Sequence, residues 1–171
     1  MVTIEDLTPA DFKVVARWLA RPEINQWLSG EWRACEASPS LVAIAVRNRR
    51  NRLYLVRHDA TPCGLVALGE IDTTDKMAMV WYLLGDDRLA GKGITSQAVR
   101  MLSQLVFKEL QLAVLYAWIM ENNRNSRRVL ERNGFQVCGR IRNSANSAGR
   151  RVDRIYFDLI GDDIPESAAS H

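Results

Sequence analysis

Between Met77 and Met120 the order of apolar and polar residues leaves few architectures open. An apolar run, "MAMVWYLLG", stops at Gly85 and gives way to the exposed, basic turn "DDRLAGKG". An amphipathic stretch follows, with Ile94, Ala98, Met101, Leu102, Leu105 and Val106 on one helical face. Thr95, Gln97, Arg100, Gln104 and Lys108 fall on the other. A second apolar run, "LAVLYAWIM", has strand length and reads as a strand buried on both faces. Strand, glycine turn, helix and strand in that order call for a sheet with a helix packed on it.

The flanking segments extend the pattern. "VTIEDL" alternates as a first strand, and Thr8-Pro9 has the form of a helix start, with Thr8 as cap and Asp11 in the first turn. Phe12, Val15, Ala16 and Leu19 give that helix its apolar face. "PEINQWLSGEW" reads as a short helix or an ordered loop, and Ser38-Pro39 repeats the cap signal before a helix over "SLVAIAVRNRR". "RLYLVRH" and "CGLVALGEID" are strands joined by the turn "DATP", and "MAMVWYLLG" completes a meander. "NSRRVLERNGF" is a short helix closed by Gly134, and "FQVCGRIR" and "RRVDRIYFDLI" form a last hairpin around a Ser/Asn/Gly loop. The fold class is α/β: a mixed sheet covered by helices.

With 171 residues, 47% apolar and 25% charged, the chain suits one domain, expected over residues 1–160 with a tail at 161–171. No apolar stretch reaches the ~20 residues of a membrane helix. The start "MVTIEDLTPADF" lacks the pattern of a secretory signal, so neither membrane nor export is expected. The cysteines, Cys35, Cys63 and Cys138, are far apart and odd in number, which suits reduced thiols in the cytoplasm. Net charge is only +3, and the arginine-rich stretches are interleaved with Asn and Ser rather than aromatics. They read as solvated faces, not a nucleic-acid surface. His58 and His171 have no metal-like partners, so no metal is expected.

The basic turn has the chemistry of an anion site. Gly91 and Gly93 let backbone approach a ligand closely, and the helix starting at Ile94 brings unpaired N–H groups to the same place. Arg88 and Lys92 add positive charge. The turn is not a GxxxxGK[ST] phosphate loop, and Ser96 stands where a GxGxxG dinucleotide fingerprint needs glycine.

Two motifs together carry a family resemblance. Arg88-Leu-Ala-Gly91-Lys-Gly93 resembles the [Q/R]xxGxG/A loop of the GNAT superfamily of acyl-CoA N-acyltransferases. Asn123-Arg-Asn-Ser126 before "VLERNGF" resembles a second signature, that of the branch with ribosomal-protein N-terminal and small-amine acetyltransferases. The resemblance covers Val2 to Ile160 and implies a mostly antiparallel sheet of about seven strands, splayed at a cofactor cleft, with helices on both faces. It also implies acetyl-CoA as co-substrate. Pantetheine would pair near Tyr82, Leu83 and Leu84, and pyrophosphate would rest on Arg88, Ala90, Gly91, Lys92, Gly93, Ile94 and Thr95. Asn123 and Ser126 would border the thioester, and Leu83 or Leu84 would offer the N–H for the developing oxyanion.

The sequence departs from the family pattern at two places. Met79 stands where a carboxylate base is common, and Leu130 where a tyrosine often protonates the thiolate. Glu70 and then Asp72 are the nearest carboxylates, acting through water, and Ser126 or a water could serve the sulfur. Trp27 and Trp32 are candidates to line the acceptor site. Trp81 and Tyr82 point to opposite faces, one toward acceptor or pantetheine, while Trp18 and Trp118 read as core. The expected reaction is N-acetylation of a small-molecule amine, such as an amino sugar, a polyamine-like compound or an amino-acid metabolite, by a monomer or homodimer. Acetylation of a protein N-terminus, a non-catalytic acetyl-CoA-binding module and an arginine-rich RNA-binding protein are the alternatives.

Overall fold

In the computed structural model, which describes residues 1–161, the strands are β1 (Val2–Asp6), β2 (Arg52–His58), β3 (Thr61–Asp72), β4 (Met77–Leu84), β5 (Val114–Met120), β6 (Gln136–Ser147) and β7 (Arg150–Ile160). They form one seven-stranded sheet in the order β1-β2-β3-β4-β5-β7-β6. Every neighbouring pair is antiparallel except β4 with β5. The expected mixed, mostly antiparallel sheet is the one observed.

Helices cover both faces. Side chains of α1 (Phe12–Ala20), α2 (Pro22–Asn25) and α4 (Pro39–Arg47) bury against Leu53, Leu55, Leu65, Ala67 and Leu83. On the opposite face, α5 (Ile94–Lys108) and α6 (Arg124–Arg132) pack on Val66, Leu68, Val80, Leu115 and Phe157. The period of two along β3 divides Leu65 and Ala67 from Val66 and Leu68, so one strand feeds both cores. Each fully buried Leu, Val or Phe contributes about 1.5–3 kcal/mol, and this two-sided burial is what holds the layers together.

Local signals explain the helix starts. The Thr8 amide and hydroxyl both donate to the Asp11 carboxylate, at 3.0 and 2.6 Å, fixing a 3-10 turn over Pro9–Asp11 ahead of α1. Ser38 Oγ accepts from the Leu41 amide at 3.2 Å and starts α4. The segment "PEINQWLSGEW" divides into α2 and the start of α3 (Gly30–Ala34).

Several expectations are corrected. β5 is not buried on both faces: Leu115, Ala117 and Ile119 enter the core, while Tyr116 and Trp118 are only half-buried on the other side. The β2–β3 connection closes at Asp59 and Ala60 alone, with φ of 48° and 64°, the two left-handed residues of a tight hairpin. Most of the expected Ser/Asn/Gly loop is strand, because β6 runs to Ser147 with register shifts between Val137/Gly139 and Ile141/Ala145. On α5, Val99 and Ser103 are buried beyond expectation, Leu105 packs partly buried on the core and Met101 is only half-buried; the Ser103 hydroxyl bonds the Val99 carbonyl at 2.9 Å. Among the described residues no helix is long and apolar enough to cross a membrane. The tail from residue 162, His171 included, lies outside the described residues.

The feature that positions the site is a fork. β4 and β5 pair only at Met77–Val114, Ala78–Leu115 and Met79–Tyr116, and beyond Met79 they separate. Gly85, just past β4 at the open end of the fork, packs against α1: a Cβ there would sit 2.2 Å from the Trp18 indole. Gly85→Ala is expected to destabilise the fold by about 1–3 kcal/mol through overpacking, read as a lower urea midpoint at unchanged m-value.

Candidate active site

The directions of the β4 backbone groups follow from its two ends. The Lys76 carbonyl accepts from Ala113 and Val114, so it faces β5, and the Gly85 amide donates to the Cys63 carbonyl at 2.7 Å, so it faces β3. Alternation then turns the amides and carbonyls of Val80, Tyr82 and Leu84 into the fork. Leu83 points the other way: its carbonyl is 2.6 Å from where a Gly64 Cβ would lie, on β3. Of the two oxyanion-donor candidates, Leu84 therefore has its N–H on the open edge, and Leu83 does not.

The turn from Asp86 to Gly93 closes one end of the fork. Gly91 and Gly93 take φ of 77° and 76°, a left-handed conformation that glycine adopts without strain. Among the described residues, the amides of Gly91, Gly93, Ile94, Thr95 and Ser96 bond to no backbone carbonyl. These donors and the first turn of α5 form an electropositive cradle suited to a phosphate. Ala90, Gly91, Gly93, Ile94 and Thr95 line the central cavity, whereas Arg88 and Lys92 do not. Arg88 is turned away because Asp86 captures its guanidinium at 2.9 and 2.8 Å, leaving the side chain 88% exposed. The same pairing holds the Asp86 carboxyl below the usual carboxylate range.

Positive charge reaches the cavity from α6 instead. Arg128 and Arg132, one turn apart, border it while staying exposed, so their arginine-rich stretch is the solvated face expected and also rims the cavity. Asn123 caps α6, its Oδ1 accepting the Ser126 amide at 3.1 Å, and both residues line the cavity. The Tyr82 hydroxyl donates to the Ser126 carbonyl at 3.0 Å and ties β4 to α6 across the fork. Burial pushes the Tyr82 phenol well above its ordinary range, so it remains a donor. Leu130 is fully buried beneath the cavity.

The cavity is about 800 Å³ and continues past Met79 to a wall of tryptophans. Trp27, Trp32 and Trp81 all line it, with the Trp32 and Trp81 rings 5.3 Å apart and tilted by 48°. Trp81 and Tyr82 take opposite faces, as expected. Trp118, expected in the core, also lines the cavity, since period two places it with Tyr116 on the open face. That periodicity was the signal available for it.

Neither candidate carboxylate lines the cavity. Asp72 spends Oδ1 on the amides of Thr74 and Asp75, at 2.8 and 3.0 Å, so it serves the β3–β4 turn. Glu70 is exposed at φ 52°, where the β3–β4 register slips, and its carboxylate accepts the Tyr116 hydroxyl. Burial first, and Glu70 second, push the Tyr116 phenol up. A residue that sequence reasoning missed is Arg21. Its guanidinium bonds the Gly85 carbonyl at 2.7 Å, Glu23 at 2.6 Å and Asp87, joining α2 to the phosphate turn. Its pairing with these two acids, both cavity-lining, offsets their charge. Among the described residues no group of His, Cys, Asp and Glu could hold a metal ion.

Residues 2–136 match the family described as "Acetyltransferase (GNAT) domain". YdaF of Bacillus subtilis (strain 168), whose name assigns it provisionally to ribosomal N-acetylation, is 28% identical over 170 residues, spanning 93% of this chain and 91% of YdaF. Aminoglycoside N(6')-acetyltransferase type 1 of Klebsiella pneumoniae is 26% identical over 157 residues, spanning 82% of this chain and 76% of that enzyme. The crystal structure of spermidine N-acetyltransferase from Vibrio cholerae in complex with CoA and spermine shares the fold, with a TM-score of 0.81 at 18% identity. That alignment covers 95% of this chain and 96% of the other.

The cradle makes Gly91 a discriminating position. Open space surrounds a Cβ there, and aspartate tolerates a positive φ better than most residues, so Gly91→Asp is expected to fold. Its carboxylate would stand among the phosphate donors, and acetyl-CoA binding measured by calorimetry should fall by at least about 100-fold.

Proposed function

The chain belongs to the GNAT family of acetyl-CoA-dependent N-acetyltransferases, and from that premise we propose that its acceptor is a primary amine of a small molecule, attacking the thioester directly. The observation that carries this reading is the continuity of one cavity from the amide cradle, through the fork, to the tryptophan wall. A cofactor's pyrophosphate, pantetheine and acetyl ends each meet a matching surface along it. Arg33 of α3, next to the cavity-lining Trp32, donates to the Asn146 carbonyl of the β6–β7 hairpin at 3.3 Å and links the two segments. That bridge favours a compact acceptor over an extended peptide, for which the groove would have to open. The free cysteines support a cytoplasmic setting. The enzyme acts there as a monomer or homodimer.

In this reading the pyrophosphate rests on the amides from Gly91 to Ser96, with Arg128 and Arg132 beside it, and Arg88 and Lys92 add longer-range charge. Pantetheine pairs with the free edge of β4 at Val80 and Tyr82, like an added strand. The neutral amine nitrogen forms a bond to the acetyl carbonyl carbon while the carbon–sulfur bond breaks. The Leu84 N–H stabilises the oxygen as it gains charge, in a site where a fixed donor acts strongly because water is excluded. The amine's proton passes through water to Glu70, whose carboxylate Tyr116 orients. The Ser126 hydroxyl, or a water it holds, returns a proton to the departing thiolate.

Thiol release from acetyl-CoA with a panel of amines tests the reaction: turnover on one or more small amines is expected, and turnover on N-terminal peptides alone would reassign the acceptor. Glu70→Gln should lower kcat by about 100-fold or more while acetyl-CoA affinity stays within twofold of wild type, roughly the loss typical of a missing general base. Equal turnover of the variant across the pH range would remove Glu70 from that role.

A further inference from the structure

The register at the fork decides what the tryptophan end of the cavity is made of. β4 and β5 run parallel and pair last at Met79–Tyr116. Residues opposite one another in a parallel pair share a face, so Trp81 and Trp118, two positions farther along, face the same side from opposite banks. Both line the cavity, as do Met79, Trp27, Leu28 and Trp32. A Cβ on Gly69 would sit 3.4 Å from Met79 Cε and 3.7 Å from Trp81 Nε1, so these two side chains lie together over β3. Trp32 packs on Trp81 with ring centres 5.3 Å apart, too close to admit a third ring between them. Their 48° tilt presents a ring face beside a ring edge, the two surfaces on which another aromatic ring packs well. Asn25 fixes the backbone of this wall, its Nδ2 donating to the Leu19 and Trp32 carbonyls at 3.1 and 3.3 Å.

Charge points the same way. The carboxylates among the described lining residues are Glu23 and Asp87, and Arg21 binds both. Neither is left to balance the extra ammonium groups of a polycation, whose burial without a counter-ion is costly. Trp118 already carries a cation, because the Arg154 guanidinium lies 4.2 Å from its ring centre. That fixed positive charge opposes a second cation placed on the wall. Together with the apolar surroundings it also favours an amine that has lost its proton, the form that attacks a thioester.

Resting on the transferase reading, we propose that the tryptophan wall selects an aromatic primary amine with no further charge, rather than a polyamine or an aminoglycoside. The ring of the acceptor packs on Trp32, Trp81 and Trp118, and its nitrogen turns into the fork. The products are the neutral N-acetyl amine and CoA, the proton lost by the nitrogen being balanced by the one the thiolate takes up.

The test compares phenethylamine and tryptamine with butylamine, spermidine and the aminoglycoside kanamycin, in wild type and in Trp32→Leu and Trp32→Phe. Wild type is expected to favour the two aromatic amines over butylamine in kcat/KM by about 30-fold or more, a few-fold for each added ring carbon. Spermidine and kanamycin should fall below butylamine. Trp32→Leu should raise KM for the aromatic amines by about tenfold, and Trp32→Phe should restore most of that loss. Calorimetric affinity for acetyl-CoA within twofold of wild type shows that the variants fold. A higher kcat/KM for butylamine, spermidine or kanamycin, or an aromatic preference that Trp32→Leu leaves unchanged, overturns the assignment while leaving the transferase intact. Acetyl-CoA binding with turnover on no amine would instead overturn the transferase reading on which the assignment rests.

Discussion

Beyond Met79 and Tyr116 the backbones of β4 and β5 stop satisfying each other, and the rest of the molecule is arranged around that loss. A strand edge inside a folded protein carries N–H and C=O groups that need partners. On β4 those of Val80, Tyr82 and Leu84 face a cavity rather than a neighbouring strand. The opening survives because both sides are held from behind. β3 grips β4 along its other edge, β7 does the same for β5, and the helical layers press on each face. In the proposed reading the cofactor's extended, amide-bearing arm supplies what the missing strand pairing would have supplied.

The two faces of the sheet divide the work. One, under α5 and α6, presents the donors: backbone amides at the turn, the start of a helix, and arginines one turn apart. The other, under α1 to α4 and along the open side of β5 and β7, presents apolar surface, with tryptophans from three separate regions of the chain. Arg21 connects the halves, since it bonds the Gly85 carbonyl and Asp87 of the turn from a position at the start of α2.

What was legible in the chain follows the range of the interactions. The alternating strands, the capped helices and the glycine turn announce themselves over a few residues, and the motifs around Gly91 and Asn123 place the cavity. What a side chain does once folded depends on neighbours distant in sequence or on competition that a motif ignores. Arg88 belongs to the phosphate motif, yet Asp86, two residues earlier, holds its guanidinium at hydrogen-bond distance. Trp118 sits in an apolar run of strand length, and the period of two puts it on the half-buried side of β5 with Tyr116. Arg128 and Arg132 read as solvent-facing and are exposed, but nothing local shows that α6 lies along a cleft. Asp72 has a base's chemistry, but its Oδ1 holds the amides of the β3–β4 turn.

The bond from the Tyr82 hydroxyl to the Ser126 carbonyl spans the two banks of the fork. It sets their spacing before any ligand is present, so the chain meets its cofactor as a slot already cut to width. Little ordering entropy is then spent on capture, and that tether adds to the strands and helices that limit how far the banks can breathe.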